Sequence, residues 1–445
     1  MSGQMEIAVG ADARPAPRQR LVRAGVLSLG TSAAIQGLSV VSGVLLARIL
    51  GPAARGELAA VLLWPGLLAA VGGLSAVEGI TYHTARRSAS MPATTATAFA
   101  ISEAQAVALV VVGYLLIPVV LGRDGPDAVF AGRLYLAWIP AYLGGQAAMG
   151  ILQGTQRWTL LNLWRLAGMA AAVAGLAGLA TAHRLTVVGA TWVYVLANSG
   201  ALLVALVALA ASRWVGLRPD LGLGRAIVTF GLKTHVGNLA GQANLNLDKL
   251  AIALLLAPSA LGLYSVGVTL SAPLTLIGAS IALVAMPVVA ASTSPAERRR
   301  QLAWFVRSSL FFSAATTLVL VLVASTLIRV FFGAAFLPVV LVAQVSISAA
   351  LARAMIWVLG HGLYAFDKPL VPSVAEVIAV AVTVAGLAVL LPSLGLLGAA
   401  ITSLLAYSTS AGYMLWFANN RLGIALADLM VPRAADVRAW ARCLR

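Results

Sequence analysis

Twelve long apolar stretches dominate this sequence, and each of them is long enough to cross a lipid bilayer. A membrane-spanning helix needs about 20 mostly apolar residues. Of the 445 residues, 61% are hydrophobic and only 10% are charged, which is too little charge for the surface of a soluble protein of this length. We therefore predict an all-α membrane protein with about twelve spans, at residues 24–47, 58–82, 95–121, 129–153, 158–181, 186–211, 227–256, 261–290, 303–328, 337–363, 371–391 and 396–418.

The positive charge of the chain is concentrated in alternate loops. Arg86 and Arg87 follow the second span, a run of three arginines at 298–300 follows the eighth, and more arginines precede the first span and follow the last. Because arginine-rich loops stay in the cytoplasm, both termini are predicted to be cytoplasmic, in a disordered tail at 1–22 and a basic tail at 421–445. The same loops account for the formal net charge of +16, so no nucleic-acid partner is expected.

The sequence lacks the patterns that are typical of bound cofactors. It has a single cysteine, Cys443, and four scattered histidines without the spacing of metal ligands. It also lacks the Gly-x-x-x-x-Gly-Lys-Ser/Thr loop that binds nucleotide phosphates. We therefore expect neither a metal site nor a cofactor.

The two halves of the chain align with each other at one offset of 206 residues. At this offset Gln36, Pro52 and Gly56 coincide with the second-half residues Gln242, Pro258 and Gly262. Spans one to six and seven to twelve therefore form two copies of a six-helix bundle, at residues 23–215 and 216–420. Because six is even, the copies are parallel, and transporters built in this way bind their substrate near the middle of the bilayer, between the halves.

The seventh predicted span carries far more polar residues than the others. At 100° per residue, five of them fall on one arc of a helix: His235, Asn238, Gln242, Asn246 and Lys249. Another set lies on nearly the opposite side, unless Gly237 and Gly241 bend the helix: Lys233, Asn244 and Asp248. Polar groups at membrane depth are costly and usually face a watery cavity. We therefore predict that the first set lines a substrate cavity together with the repeat-related Gln36; the alternative is that these groups only join helices by hydrogen bonds.

Two segments make the chain similar to a known family. They are Leu46-Ala-Arg-Ile-Leu-Gly-Pro-Ala-Ala-Arg-Gly-Glu-Leu58 and Asn244-Leu-Asn-Leu-Asp-Lys-Leu250, the latter followed by Pro258, Gly262 and Tyr264. The chain resembles, over roughly residues 22–419, the Wzx-type polysaccharide-biosynthesis flippases of the multidrug/oligosaccharidyl-lipid/polysaccharide exporter superfamily. The resemblance implies a V-shaped transporter of two bundles that moves a polyprenyl-diphosphate-linked oligosaccharide between leaflets. The lipid II flippases of that superfamily usually have two further helices, which this sequence lacks.

One arginine is the best candidate in the sequence to bind a diphosphate. Arg353 lies in the middle of the tenth span, between Ala352 and Ala354, with no route for its head to reach the membrane surface. The planar guanidinium binds phosphate oxygens in pairs and stays charged. The alternative is that Glu78 or Glu376 pairs with it in a structural ion pair.

Four charged residues are candidates for ion coupling or for ion pairs: Asp248, Glu78, Glu376 and Arg165. Asp248 matches an aspartate of the resembled family. Arg165 and Glu376 occupy repeat-related positions and could face each other across a pseudo-twofold axis; the alternative is that Arg165 extends its head to the membrane surface. Without a nucleotide site, the energy for transport would come from H⁺ or Na⁺ gradients, from the membrane potential or from downstream consumption of product.

The predicted function is translocation of a lipid-linked oligosaccharide across the bacterial cytoplasmic membrane for cell-surface polysaccharide synthesis, by alternating access. Membrane lipids and polysaccharide polymerase or assembly proteins are the expected partners. The main alternative is a cation-coupled multidrug or metabolite exporter of the same superfamily. A membrane glycosyltransferase would need a large outer loop for its active site. The predicted outer loops have about ten residues or fewer, so we expect no enzyme. A scaffold without transport activity is the remaining alternative.

Overall fold

The computed structural model describes residues 18–87, 89–433 and 436, and this part of the chain folds into helices without strands. The rest of the two predicted tails lies outside the described residues. The helices of the first half are α1 (Arg18–Gly72), α2 (Ala76–Ala85), α3 (Met91–Leu121), α4 (Pro126–Tyr135), α5 (Trp138–Gly154), α6 (Trp158–Thr181) and α7 (Val187–Ala211). Those of the second half are α8 (Leu221–Leu255), α9 (Pro258–Thr269), α10 (Ala272–Ala290), α11 (Pro295–Leu327), α12 (Val340–Ala365), α13 (Leu370–Leu394), α14 (Leu396–Leu422) and α15 (Leu426–Met430).

These helices form the twelve predicted crossings, but several crossings are broken. Within the described residues, eight helices are long and apolar enough to span a membrane. One of them, α1, contains the first predicted span and the larger part of the second, which α2 completes. It is kinked at Gly51, whose φ of 71° suits glycine and which directly precedes Pro52. The fourth and eighth crossings are split into α4 with α5 and α9 with α10, whereas α8 and α14 are long enough but more polar.

The duplication predicted from the sequence is present in the helix packing. In the first half, α1 packs on α6, α5 packs on α2, α3 and α7, and α6 packs on α7. In the second half, α8 packs on α13, α12 packs on α10, α11 and α14, and α13 packs on α14. Each contact of the first set has its counterpart in the second at the offset of the repeat. The chain is therefore a multi-pass membrane protein built from two parallel six-helix repeats.

The hydrophobic cores give the molecule its V shape. One core contains buried residues from both halves, among them Leu58 and Tyr264. Three other cores are separate: two contain residues of the second half only, within 274–350 and 282–429, and one contains residues 76–209 of the first half together with Leu223 and Ile227 of α8. The bundles are thus joined at one end and have their own cores at the other.

The joined end is closed by the repeated Pro and Gly residues themselves. Pro52 directly follows the kink of α1 and Pro258 is the first residue of α9, where proline is favourable because its missing N–H would be unsatisfied anyway. A Cβ atom on Gly56 would lie 1.7 Å from the carbonyl oxygen of Pro258, and one on Gly262 would lie 2.0 Å from that of Pro52. The two motifs therefore cross each other backbone to backbone, which small residues permit inside membranes. We call this crossing of Pro52, Gly56, Pro258 and Gly262 the glycine seal.

Further bonds between the halves surround the glycine seal. Arg48 of α1 donates to the backbone carbonyls of Val330 and Phe331, the second at 2.7 Å. Arg123 donates to the carbonyl of Leu254 at 3.3 Å. These segments belong to the loops that the charge pattern places outside the cytoplasm, so the sealed end carries the loops predicted to be external.

Candidate substrate cavity

A cavity of about 920 Å³ lies between the two bundles, away from the sealed end. The second part of α1 with α2, α3 and α5 form its first-half wall, and α8, α12 and α13 form most of the opposite wall. Ligand pockets typically measure about 300–1,000 Å³. The cavity is therefore large enough for a headgroup of several rings, and its wall is rich in amides, aromatic rings and charged groups.

The helix α8 joins the two bundles along one side of this cavity. Its first part packs on α2 so closely that a Cβ atom on Gly79 would lie 2.4 Å from the carbonyl oxygen of Ile227, and one on Gly231 would lie 2.6 Å from that of Leu74. Its last part enters the second bundle, where Asn244 and Asp248 are buried. The polar helix singled out by the sequence is therefore shared by both halves.

The cavity borders a wider face of α8 than the predicted stripe. Asn238 and Gln242 line it, but so does Lys233, which the helical pattern placed on nearly the opposite side. Gly237 and Gly241 lie between these positions on the helix surface, line the cavity themselves and have open space where a Cβ would be. Because they carry no side chains, the cavity extends across this face of α8 as far as Lys233. At 100° per residue, the lining positions of α8 cover roughly half of its circumference.

The other members of the predicted stripe lie elsewhere. His235 contacts Ser75 of the first half at 3.2 Å, Asn246 donates to the backbone carbonyl of Gln242, and Lys249 donates to Asn246 at 3.4 Å. Asn246, Lys249 and the half-buried Gln36 are not among the residues that line the cavity. Hydrogen bonding that joins helices, which the sequence left as the alternative, therefore describes His235, which links α8 to the start of α2; the bonds of Asn246 and Lys249 lie within α8.

The first-half wall carries a carboxylate that is only half satisfied. Glu78 accepts a hydrogen bond from Asn238 at 2.8 Å, and Asn238 also donates to Ser75 at 3.0 Å. The second oxygen of Glu78, Oε2, is buried without a hydrogen-bond partner among the described residues, as is Oε1 of Gln105 on the same wall. Buried acceptors of this kind are uncommon and favour a ligand that donates hydrogen bonds.

The second-half wall carries the ion pair that the sequence raised as an alternative. Nη1 of Arg353 lies 3.6 Å from Oε1 of Glu376, and the guanidinium lies over the ring of Tyr407 at 5.2 Å. Both Arg353 and Glu376 line the cavity. Nη1 of Arg353 forms no hydrogen bond within the described part of the chain, so the guanidinium retains a free donor. Arg165 is half-buried on α6 and does not line the cavity. Glu376 therefore faces Arg353 and not Arg165, its repeat-related counterpart.

A second buried arginine shows how a fully satisfied ion pair looks in this protein. Arg307 of α11 donates to both carboxylate oxygens of Asp436, at 2.7 and 3.1 Å, and to the backbone carbonyl of Asp428. This arrangement fastens the segment after α14 to the second bundle. Compared with it, the Arg353 pair is long and lacks a hydrogen bond.

Asp248 lies away from the cavity, on the path from α8 to the glycine seal. It is buried, and one of its oxygens accepts a hydrogen bond of 2.5 Å from the hydroxyl of Tyr264, two residues beyond Gly262. The other oxygen accepts from the backbone N–H of Lys249. In this conformation Asp248 therefore joins α8 to α9 and is not accessible from the cavity.

Substitution of Tyr264 by phenylalanine should destabilise the protein. It removes the hydroxyl that satisfies a buried carboxylate, and leaving such a group unpaired costs about 1–3 kcal/mol. We expect a clearly lower midpoint of thermal unfolding in detergent. The matched control is Tyr114→Phe, since Tyr114 is 52% exposed and packs under Arg133 through its ring. Equal midpoints for the two variants would show that the Asp248–Tyr264 bond does not hold α8 to α9.

Several cavity residues were missed by the sequence. Trp357, His361 and Tyr364 line the cavity on the same face of α12 as Arg353, and the rings of Trp357 and His361 are stacked at 5.7 Å. They follow Arg353 at spacings of four, four and three residues, so a helical projection from Arg353 would have found them. Gln105, Tyr142 and Gln146 of the first half also line the cavity, and their spans were not singled out because they carry far fewer polar groups than the seventh.

The family of the chain follows from comparison with known proteins. Residues 22–293, more than half of the sequence, match the family described as polysaccharide biosynthesis protein. The chain belongs to this family. Comparison with curated proteins found no significant match.

Solved structures of transporters share the fold of this family member. A lipid II flippase, MurJ, in an inward closed conformation superposes with a TM-score of 0.76 at 13% identity, over 91% of this chain and 89% of that one. An inward-facing multidrug resistance MATE family transporter of the MOP superfamily gives 0.74 at 14% identity, over 90% and 98%. An outward-facing MATE family transporter gives 0.60 at 15% identity, over 91% and 95%. At these identities the likeness shows the fold, that of the MOP superfamily transporters.

Proposed function

We propose that this polysaccharide biosynthesis family member moves a lipid-linked oligosaccharide, carried on a polyprenyl diphosphate, across the bacterial cytoplasmic membrane for cell-surface polysaccharide synthesis. The observation that carries the proposal is the cavity between the bundles, which combines Arg353 and Lys233 with amides and a row of aromatic rings. A diphosphate and its sugars cannot cross the hydrocarbon core unaided, because each bare charge costs several kcal/mol or more. A hydrated, cation-bearing cavity lowers that cost.

The two parts of such a substrate have different requirements, and features of the structure support both. The charged head needs the cavity, whereas the polyprenyl tail remains in the lipid. On one side of the cavity α8 bridges the bundles, but its counterpart α1 packs only sparsely on α10. Gly30 and Gly37 of α1 have open space where a Cβ would be. This side supports lateral passage of a lipid-linked head between the membrane and the cavity.

The closed glycine seal supports an inward-facing state in the proposed cycle. With both termini in the cytoplasm, the sealed end is external and the cavity lies toward the cytoplasm, where lipid-linked oligosaccharides are assembled. The higher TM-score with the inward-facing MATE structure than with the outward-facing one agrees with this assignment. Rocking of the bundles about the cavity would then open the external end.

The second candidate is a cation-coupled exporter of drugs or metabolites, favoured by the half-satisfied Glu78 on the cavity wall. One experiment separates the two. The gene is expressed in a strain that lacks its oligosaccharide flippase, and surface polysaccharide and resistance to cationic drugs are measured in parallel. The proposal expects surface polysaccharide to return while drug resistance is unchanged. Restored resistance without surface polysaccharide would favour the exporter.

A further inference from the structure

The contacts of Arg353 in the cavity resemble a binding site that is already occupied by an internal anion. The carboxylate of Glu376 faces the guanidinium at 3.6 Å, within the range of a strong Coulomb attraction but beyond a hydrogen bond. Both groups are largely buried, with side chains 10% and 18% exposed. An anionic ligand that enters the cavity therefore meets an arginine whose charge is already balanced.

The carboxylate of Glu376 has a second partner that does not depend on Arg353. Asn244 of α8 donates to Oε2 of Glu376 at 2.6 Å, the shorter of the two contacts of this carboxylate. Asn244 is itself held in place, since Thr383 donates to its side-chain oxygen at 3.2 Å and Tyr407 donates to its backbone carbonyl at 3.1 Å. Glu376 therefore keeps a hydrogen bond on α8 when it loses Arg353.

We propose that Glu376 is a built-in competitor that occupies Arg353 in the empty transporter and is displaced by the diphosphate of the substrate. Displacement is possible because the pair lacks a hydrogen bond and Asn244 retains the carboxylate, and the lost attraction lowers the affinity for the diphosphate. The advantage is release: once the cavity opens on the other side, Glu376 competes with the diphosphate for the guanidinium and keeps the headgroup from remaining bound. Specificity also follows, because only an anion that outcompetes a carboxylate is held. This inference rests on the proposed function for the identity of the anion.

The test measures binding of inorganic pyrophosphate and of farnesyl diphosphate to the purified protein in detergent by calorimetry. Substitution Glu376→Gln removes the competing charge but keeps an oxygen that can accept from Asn244. We expect roughly tenfold tighter binding of both diphosphates, since close charge pairs at interfaces are coupled by about 1.5 kcal/mol or more. Glu376→Asp, which keeps the charge, should bind more like the wild type.

Two further variants show whether the effect passes through Arg353. In the double variant Arg353→Gln/Glu376→Gln the gain should vanish, which a double-mutant cycle measures directly. Glu78→Gln removes a carboxylate from the opposite wall and should tighten binding much less, so it separates competition from a general change of the cavity potential. Thermal unfolding of each variant shows whether it still folds. If Arg353→Gln folds poorly because it leaves Glu376 buried without its partner, the double variant replaces it in the comparison, since it leaves no buried charge unpaired.

The outcomes separate this inference from the proposed function. Weaker or unchanged diphosphate binding in Glu376→Gln, with Arg353→Gln abolishing it, would overturn the competitor role and leave the flippase proposal intact. A gain that persists in the double variant would likewise contradict it. Binding of neither diphosphate by any variant, including the wild type, would contradict the assignment of Arg353 to a diphosphate and with it both proposals.

Discussion

Leucine in place of Gly262 should prevent the bundles from closing at the sealed end. A Cβ atom at this position would already lie 2.0 Å from the carbonyl oxygen of Pro52, so the larger side chain forces α9 away from α1. Overpacking of this kind costs about 1–3 kcal/mol, which shifts a two-state equilibrium by roughly 5- to 150-fold. We expect the variant to populate the state that is open at this end, and its transport to fall because the cycle can no longer return to the sealed state.

The measurement uses the accessibility of one cysteine in the cavity. In a Cys443→Ser background, Gly237→Cys introduces a thiol at a lining position with open space around it. Membrane-impermeant reagents should label it from the cytoplasmic side in the parent and from the external side in Gly262→Leu. The control is Gly178→Leu, on a face of α6 with nothing within 4 Å, which should leave the labelling as in the parent.

Two observations keep this prediction testable if Gly262→Leu folds poorly. Gly262→Ala adds only the methyl group and should shift the labelling in the same direction by a smaller factor, and Gly56→Ala should repeat it from the other half, where the clash is with Pro258. Unchanged cytoplasmic labelling and normal transport in folded leucine and alanine variants would show that the crossing is not a gate.

Loss of the charge at Arg353 should reduce transport more than any other single change in the cavity. Truncation of one partner of a desolvated charge pair costs about 2–4 kcal/mol, or roughly 30- to 1,000-fold in binding of the headgroup. We therefore expect Arg353→Gln to lose most transport and Arg353→Glu to lose all of it. Arg353→Lys should be intermediate, since an ammonium keeps the charge but not the planar fork.

Translocation of a fluorescent lipid-diphosphate oligosaccharide into proteoliposomes measures this series. Arg184→Gln is the matched control, because Arg184 is exposed in the loop between α6 and α7 and is not among the residues that line the cavity. The order wild type, Lys, Gln, Glu should also appear in the affinity for the headgroup. Equal transport by wild type and Arg353→Glu would contradict a role of this arginine in headgroup binding.

The sequence predicted the architecture well because the relevant signals are local. Span length, loop charge and the repeated Pro52–Gly56 and Pro258–Gly262 motifs are properties of short segments, and together they gave the all-helical fold and the two repeats. The contact of these motifs with each other was missed. In a pseudo-twofold molecule, residues near the axis touch their own copies, so equivalent motifs in the two halves are themselves a signal for such a crossing.

The candidate site was predicted less well, because helical periodicity does not show how much of a helix faces the cavity. Lys233 joins Asn238 on the cavity wall since two glycines widen the lining face, and no pattern of single residues carries that information. Asp248 was a candidate for ion coupling or an ion pair. In the structure it accepts a hydrogen bond from Tyr264, which lies sixteen residues further along the chain and on another helix. The presence of charged side chains within a membrane span indicated that Lys233 and Asp248 need polar partners, but it did not indicate which residues those partners are.

We propose that this chain by itself moves a lipid-linked diphosphate sugar between leaflets, and the purified protein in liposomes provides the test. A fluorescent polyprenyl-diphosphate oligosaccharide is placed in both leaflets, and its protection from an external quencher or from an added lectin is followed with time. We expect rapid exchange between leaflets with the wild type and none with Arg353→Glu or with empty liposomes. Exchange no faster than in empty liposomes, by a wild-type protein that is folded and correctly inserted, would contradict it.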